Sequence, residues 1–177
     1  MRTLISQSQL EAGVRKLATE LNRQYADRPL TVLGVLTGSV VLLADLIRQL
    51  EMPLRVGVLQ ARSYRGVATE PGELVVNLEL MPAVAGCDVL LLDDIFDTGR
   101  TLDELARRLE ACGATSVSSM VLLTKVGRCE VEYRPDYSAF EIPNEFVVGY
   151  GLDYQDHYRN LPFVAALDPE EIAAGTQ

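Results

Sequence analysis

The chain has 177 residues, 48% of them hydrophobic and 23% charged, and its 16 Lys+Arg against 25 Asp+Glu give a net charge of −9. That length makes one domain able to bury a core without disulfide staples, and the composition excludes fibrous, coiled-coil and disordered roles. The negative charge disfavours nucleic-acid partners, and no apolar stretch approaches the ~20 residues that a membrane helix needs.

The first seven residues turn polar too early to hold the apolar region of a signal peptide, so a cytoplasmic location is expected. Over residues 6–25, Leu10, Val14, Leu17, Ala18 and Leu21 recur at helical spacing, and Ser6 with Gln9 is placed for a capping box. Residues 30–36 read as a buried strand that ends at Thr37-Gly38-Ser39, and the nearly all-apolar run 40–50 reads as a buried helix. Residues 54–60 predict another strand, 62–73 an exposed loop rich in glycine and charge, and 74–80 a strand or hairpin arm.

The run 88–92 is apolar after its first residue, as in a parallel strand covered on both faces, and is the candidate central strand. After the turn Asp97-Thr98-Gly99-Arg100, Leu102, Leu105, Ala106 and Leu109 mark a helix face, Thr101 and Glu104 fit a capping box, and Gly113 supplies a stop. Residues 117–124 form a further strand, and the remainder is short segments broken by Pro135, Pro143, Gly149, Gly151 and Pro162. Cys87, Cys112 and Cys129 are odd in number and widely spaced, with only His157 to assist a metal, so they read as buried reduced thiols. The alternation predicts an α/β fold: a mainly parallel twisted sheet flanked by helices, with strand C-terminal ends and helix N-termini sharing one edge, where ligands bind. The single domain 1–177 is expected to comprise a core of about 28–135 and a small hood from about 1–8 and 136–177.

Chemistry concentrates in Val89-Leu90-Leu91-Leu92-Asp93-Asp94-Ile95-Phe96-Asp97-Thr98-Gly99-Arg100-Thr101. A buried strand delivers two carboxylates to its end, and a Gly/Thr loop then opens a helix and turns backbone N–H groups and hydroxyls toward an anion. Neither a Walker loop nor a Rossmann glycine fingerprint is present. The stretch resembles the phosphoribosyl pyrophosphate motif of the type I phosphoribosyltransferases. Together with Leu36-Thr37-Gly38-Ser39, Ser63-Tyr64, Lys125, the segment from Phe140 through Phe146-Val147 to Asp153-Tyr154, and Arg159, nearly the whole chain resembles the hypoxanthine-guanine phosphoribosyltransferases.

The resemblance implies transfer of the 5-phosphoribosyl group from phosphoribosyl pyrophosphate to N9 of hypoxanthine or guanine, a pentosyltransferase reaction of purine salvage that releases pyrophosphate. It places the 5-phosphate on Asp97, Thr98, Gly99, Arg100 and Thr101, and gives Asp97 the proton transfer at N7 of the base. Asp93 and Asp94 would face the ribose hydroxyls and Mg²⁺, with Asp153 at a second Mg²⁺. Lys125 would meet the 6-oxo group, Phe146 would stack on the purine, and Val147 would offer backbone groups to its edge. Thr37, Gly38 and Arg159 would hold pyrophosphate, and Ser63 and Tyr64, helped by Arg62 and Arg65, would close over the reacting centre. Thr37 stands where many family members carry lysine, and a cis peptide is expected at Thr37-Gly38.

His157 receives no role from the resemblance and reads as a surface side chain. A homodimer or homotetramer acting on small molecules, without nucleic-acid or membrane partners, is expected. Two alternatives differ in definite residues. A xanthine-preferring transferase shares the 6-oxo group, whereas a non-catalytic sensor of phosphoribosyl pyrophosphate would need neither Asp97 nor Lys125.

Overall fold

The computed structural model describes residues 1–63 and 74–174. In chain order the elements are β1 (Arg2–Ile5), α1 (Gln7–Tyr25), β2 (Leu30–Leu36), α2 (Val40–Ile47), β3 (Leu54–Ser63), β4 (Leu74–Asn77), β5 (Asp88–Phe96), α3 (Arg100–Ala111), β6 (Ser116–Lys125), β7 (Tyr137–Ile142), β8 (Val147–Val148), β9 (Val164–Ala166) and α4 (Pro169–Ala174). The main sheet has the order β4-β3-β2-β5-β6-β7, with every pairing parallel except the antiparallel hairpin arm β4 on β3. A second sheet, β1-β9-β8, is antiparallel.

β5 lies between β2 and β6, as its continuous apolar run predicts, and Val89, Leu90, Leu91 and Leu92 are all fully buried. Strand periodicity divides them between two cores. Leu90 and Leu92 join Leu10, Leu17, Leu21, Leu42 and Leu46 under α1 and α2, whereas Val89 and Leu91 join Leu102, Leu105 and Leu109 under α3. Ile5, Val147 and Val164 of the smaller sheet belong to the first of these cores, so that sheet is fastened by the same apolar cluster.

Helix ends follow the sequence at one place and depart from it at another. Ser6 caps α1, and the reciprocal bonds with Gln9 form the expected box. α3 instead opens two residues earlier than a Thr101 cap requires. Gly99, at φ 85°, takes the N-cap position without a side-chain bond, and Glu104 pairs with Arg108 at 2.7 Å. The expected Thr101–Glu104 box is therefore absent, and the first turn of α3 is left to a ligand or water. The boundary of the hood also moves. Tyr137–Ile142 pairs with β6 in the main sheet, because Tyr137 and Ile142 bury against the core, so the C-terminal hood begins after Ile142 rather than at 136.

The thiols are less buried than expected: Cys112 is exposed, and Cys87 and Cys129 are half-buried. Tyr64 and Arg65 of the expected closing loop lie outside the described residues, and Ser63 ends β3. Among the described residues, no helix is long and apolar enough to cross a membrane.

Leu91 is enclosed on every side at the sheet centre. Leu91→Ala is expected to lower the unfolding free energy by about 2–5 kcal/mol, measured as a lower urea midpoint at unchanged slope.

Candidate active site

The parallel strands place their C-terminal ends along one edge, and β5 carries Asp93 and Asp94 there. Asp93 is 8% exposed, and its Oδ1 accepts the backbone N–H of Asp94 at 3.0 Å. Burial, with the neighbouring Asp94 charge, pushes Asp93 well above the usual carboxylate range. Burial raises Asp94 too, opposed by hydrogen bonds and by the charge of Arg159. Burial thus makes ionisation costly at both acids, most of all at Asp93.

Gly38, after β2, runs directly against Asp94: a Cβ built on it would lie 1.6 Å from Asp94 Oδ2. Gly151 stacks on the other side, where a Cβ would lie 2.0 Å from the Gly38 carbonyl oxygen. Three segments distant in sequence thus meet with no room for a side chain. The cis peptide lies at Leu36-Thr37, one step before the expected Thr37-Gly38 bond. Thr37 is exposed, and Ser39 is buried with its hydroxyl donating to the Val35 carbonyl at 2.7 Å.

Asp97 opens the loop to α3. Its Oδ1 accepts from Arg128 Nε at 2.8 Å, and its Oδ2 lies 3.6 Å from Lys125 Nζ at the end of β6. The loop after β6 buttresses the α3 loop twice more: Glu130 N donates to the Thr98 carbonyl at 2.9 Å, and Arg100 pairs with Glu130 at 2.7 Å. Gly99 is buried, Thr98 and Thr101 are half-buried, and Arg100 is exposed.

Lys125 also lines a cleft of about 220 Å³ with Asp94, Ile95, Phe146, Val147, Leu152 and Asp153. Phe146 is 42% exposed, an unusual placement for a large apolar ring, and stands edge-on to Tyr154 with centroids 5.4 Å apart. Val147 is buried in β8. Arg159 holds this end together, with Nη1 donating to the Gly151 carbonyl at 2.8 Å and Nη2 2.8 Å from Asp153 Oδ1. Asp153 Oδ2 accepts the Asp156 N–H at 2.9 Å.

The structure therefore brings Asp93, Asp94, Gly38, Lys125, Phe146, Val147, Asp153 and Arg159 to one strand-end edge, with the Asp97–Thr101 loop joined through Lys125. His157 is exposed and outside the cleft. Sequence reasoning missed Arg128, whose only signal was a second basic side chain soon after the strand end at Lys125, past a turn at Gly127 with φ 76°.

A family model for the phosphoribosyl transferase domain matches residues 4–155. A hypoxanthine-guanine phosphoribosyltransferase of Lactococcus lactis is 43% identical over 169 residues, covering 96% of this chain and 92% of its own. Among solved structures, a hypoxanthine phosphoribosyltransferase of Staphylococcus aureus has a TM-score of 0.90 at 33% identity, covering 96% of this chain and 92% of its own. A hypoxanthine phosphoribosyltransferase of Trypanosoma cruzi has a TM-score of 0.92 at 32% identity, covering 99% and 95%.

A carboxyl whose folded pKa is raised adds stability below its unfolded pKa and loses it as pH rises through the folded value. Asp93→Asn keeps the shape of Asp93 and cannot ionise. With a chelator present, it is expected to match the unsubstituted protein at about pH 4 and to be the more stable of the two at alkaline pH, measured by thermal unfolding across that range.

Proposed function

Because the chain belongs to the phosphoribosyl transferase domain family, we propose that it works in purine salvage as a hypoxanthine-guanine phosphoribosyltransferase. It transfers the 5-phosphoribosyl group of phosphoribosyl pyrophosphate to N9 of hypoxanthine or guanine and releases pyrophosphate. The observation that carries this reading is the cleft itself, where Asp94, Lys125, Phe146 and Asp153 converge from three separate stretches of chain.

The base lies against Phe146, whose exposed face is available for stacking. Lys125 donates to the 6-oxo oxygen. Adenine presents an amino group at that position and would leave two donors facing each other, which discriminates strongly. Asp97 lies beside Lys125, so a donor for O6 and an acceptor for the N7 proton are neighbours, as the two positions are on a 6-oxopurine.

In the reaction, the bond from C1′ to the pyrophosphate oxygen breaks with its electron pair leaving on pyrophosphate. The N9–C1′ bond forms, and Asp97 takes the N7 proton. The 5-phosphate is anchored by the uncapped first turn of α3 and the loop before it, a favourable site for an anion. Pyrophosphate lies between the Thr37-Gly38 backbone and Arg159, whose guanidinium supplies the charge that Thr37 lacks.

Among the described residues, no group of three or more His, Cys, Asp or Glu is placed to hold a metal on its own. Mg²⁺ does not require one, because it keeps several waters and binds through one or two carboxylates together with substrate phosphates. Asp93 and Asp94 fit that role, since a cation offsets the cost of ionising two adjacent buried acids. Asp153, already paired with Arg159, fits a second ion or its waters. When bound, the ion neutralises the departing pyrophosphate. A homodimer or homotetramer is the expected assembly.

Assay with phosphoribosyl pyrophosphate and Mg²⁺ against hypoxanthine, guanine, xanthine and adenine, followed by absorbance, is expected to give turnover of the first two and none of adenine. Chelation of Mg²⁺ should abolish it, and Asp97→Asn should lower kcat by about a hundredfold or more. No turnover of any base would overturn the assignment, and turnover of xanthine alone would redirect it.

A further inference from the structure

Gly149, Tyr150 and Gly151 carry three consecutive positive φ angles, 97°, 51° and 101°. Glycine accepts this region freely, whereas a tyrosine within it crowds its own backbone and persists only where its surroundings hold it. Tyr150 is 7% exposed, and its hydroxyl donates to Asp45 Oδ2 at 2.6 Å, the length of a charge-assisted bond. Asp45 lies on α2, the helix that opens directly after Thr37-Gly38-Ser39, and its other carboxylate oxygen pairs with Arg48.

The backbone of the same turn is held from the other side. Tyr150 N donates to the Leu161 carbonyl at 2.9 Å and Gly151 N to the Arg159 carbonyl at 3.0 Å, while the Gly151 carbonyl accepts from Arg159 Nη1. Gly151 then rests on Gly38 with no space for a Cβ between them. A displacement of the turn would therefore shift Gly38, Arg159 and the Phe146–Asp153 wall of the cleft together.

We propose that Tyr150 is a positioning residue: its hydroxyl bond to Asp45 clamps the 149–151 turn onto the pyrophosphate loop, so that the purine and pyrophosphate subsites are built as one unit. The inference rests on the subsites assigned above. Neither Tyr150 nor Asp45 touches the reacting atoms, and the contribution of the bond lies in alignment for substrate binding rather than in proton transfer.

Steady-state kinetics with hypoxanthine and phosphoribosyl pyrophosphate test it. Tyr150→Phe removes only the hydroxyl and is expected to raise KM for phosphoribosyl pyrophosphate roughly five- to tenfold, with kcat held within about twofold. Asp45→Ala should reproduce that effect. Asp45→Asn, whose amide oxygen still accepts the hydroxyl, should restore KM to within about twofold, and Tyr150→Phe/Asp45→Ala should be no worse than either single variant. If Tyr150→Phe does not fold, Asp45→Ala at the more exposed end of the bond carries the same expectation. Unchanged KM in both single variants, additive effects in the double, or a fall in kcat and Tm without a rise in KM would overturn the inference while leaving the assigned activity intact. An unsubstituted protein inactive with every purine base would overturn that assignment, and this inference with it.

Discussion

Complete burial of the Val89–Leu92 run of β5 is the constraint on which the rest of the molecule depends. Four consecutive apolar side chains divide between two cores and leave the strand no freedom to slip, since a shift of one residue would exchange its faces. The carboxyls that follow are thereby delivered to a fixed depth at the sheet edge. Apolar packing supplies the precision, and the polar chemistry begins only where the apolar run ends.

That delivery creates a conflict which the structure retains. Burial disfavours the ionisation of both adjacent acids near the end of the strand, the charge of Asp94 adds to the cost at Asp93, and the backbone of Gly38 is pressed against Asp94. An apolar or amide side chain there would be easier to fold around. Such local inconsistency is expected where a site is shaped for a ligand carrying the missing charge rather than for the protein alone.

The central strand, α1 with its Ser6–Gln9 cap, and the hairpin arm β4 are legible in the sequence because each is governed by local periodicity or a local hydrogen bond. The place of β7 in the main sheet is not legible locally. Tyr137–Ile142 is a short, mixed run, and it is pairing with β6 that makes it a strand of that sheet. The start of α3 lies two residues before the one its sequence suggests, because Thr101 and Glu104 satisfy the pattern of a box, while Gly99 provides a backbone turn that no side-chain pattern records. In the site, Asp93, Asp94 and Lys125 stand at strand ends where charge after apolar residues draws attention. Arg128, Asp45 and Tyr150 act through contacts between distant segments, which the residues beside them in sequence do not reveal.

The loop after β6 grips the opening of α3 through Asp97, Thr98 and Arg100. The proposed phosphate anchor and the proposed proton acceptor are therefore parts of one braced unit, not neighbours that adjust independently. Contacts made to the 5-phosphate, several bonds away from C1′, bear on the alignment of the carboxylate that works at the base. A ribosyl donor without that phosphate would lose turnover as well as affinity. On the proposed assignment, discrimination against dephosphorylated sugars is written into the reaction rate, with no separate pocket needed to exclude them.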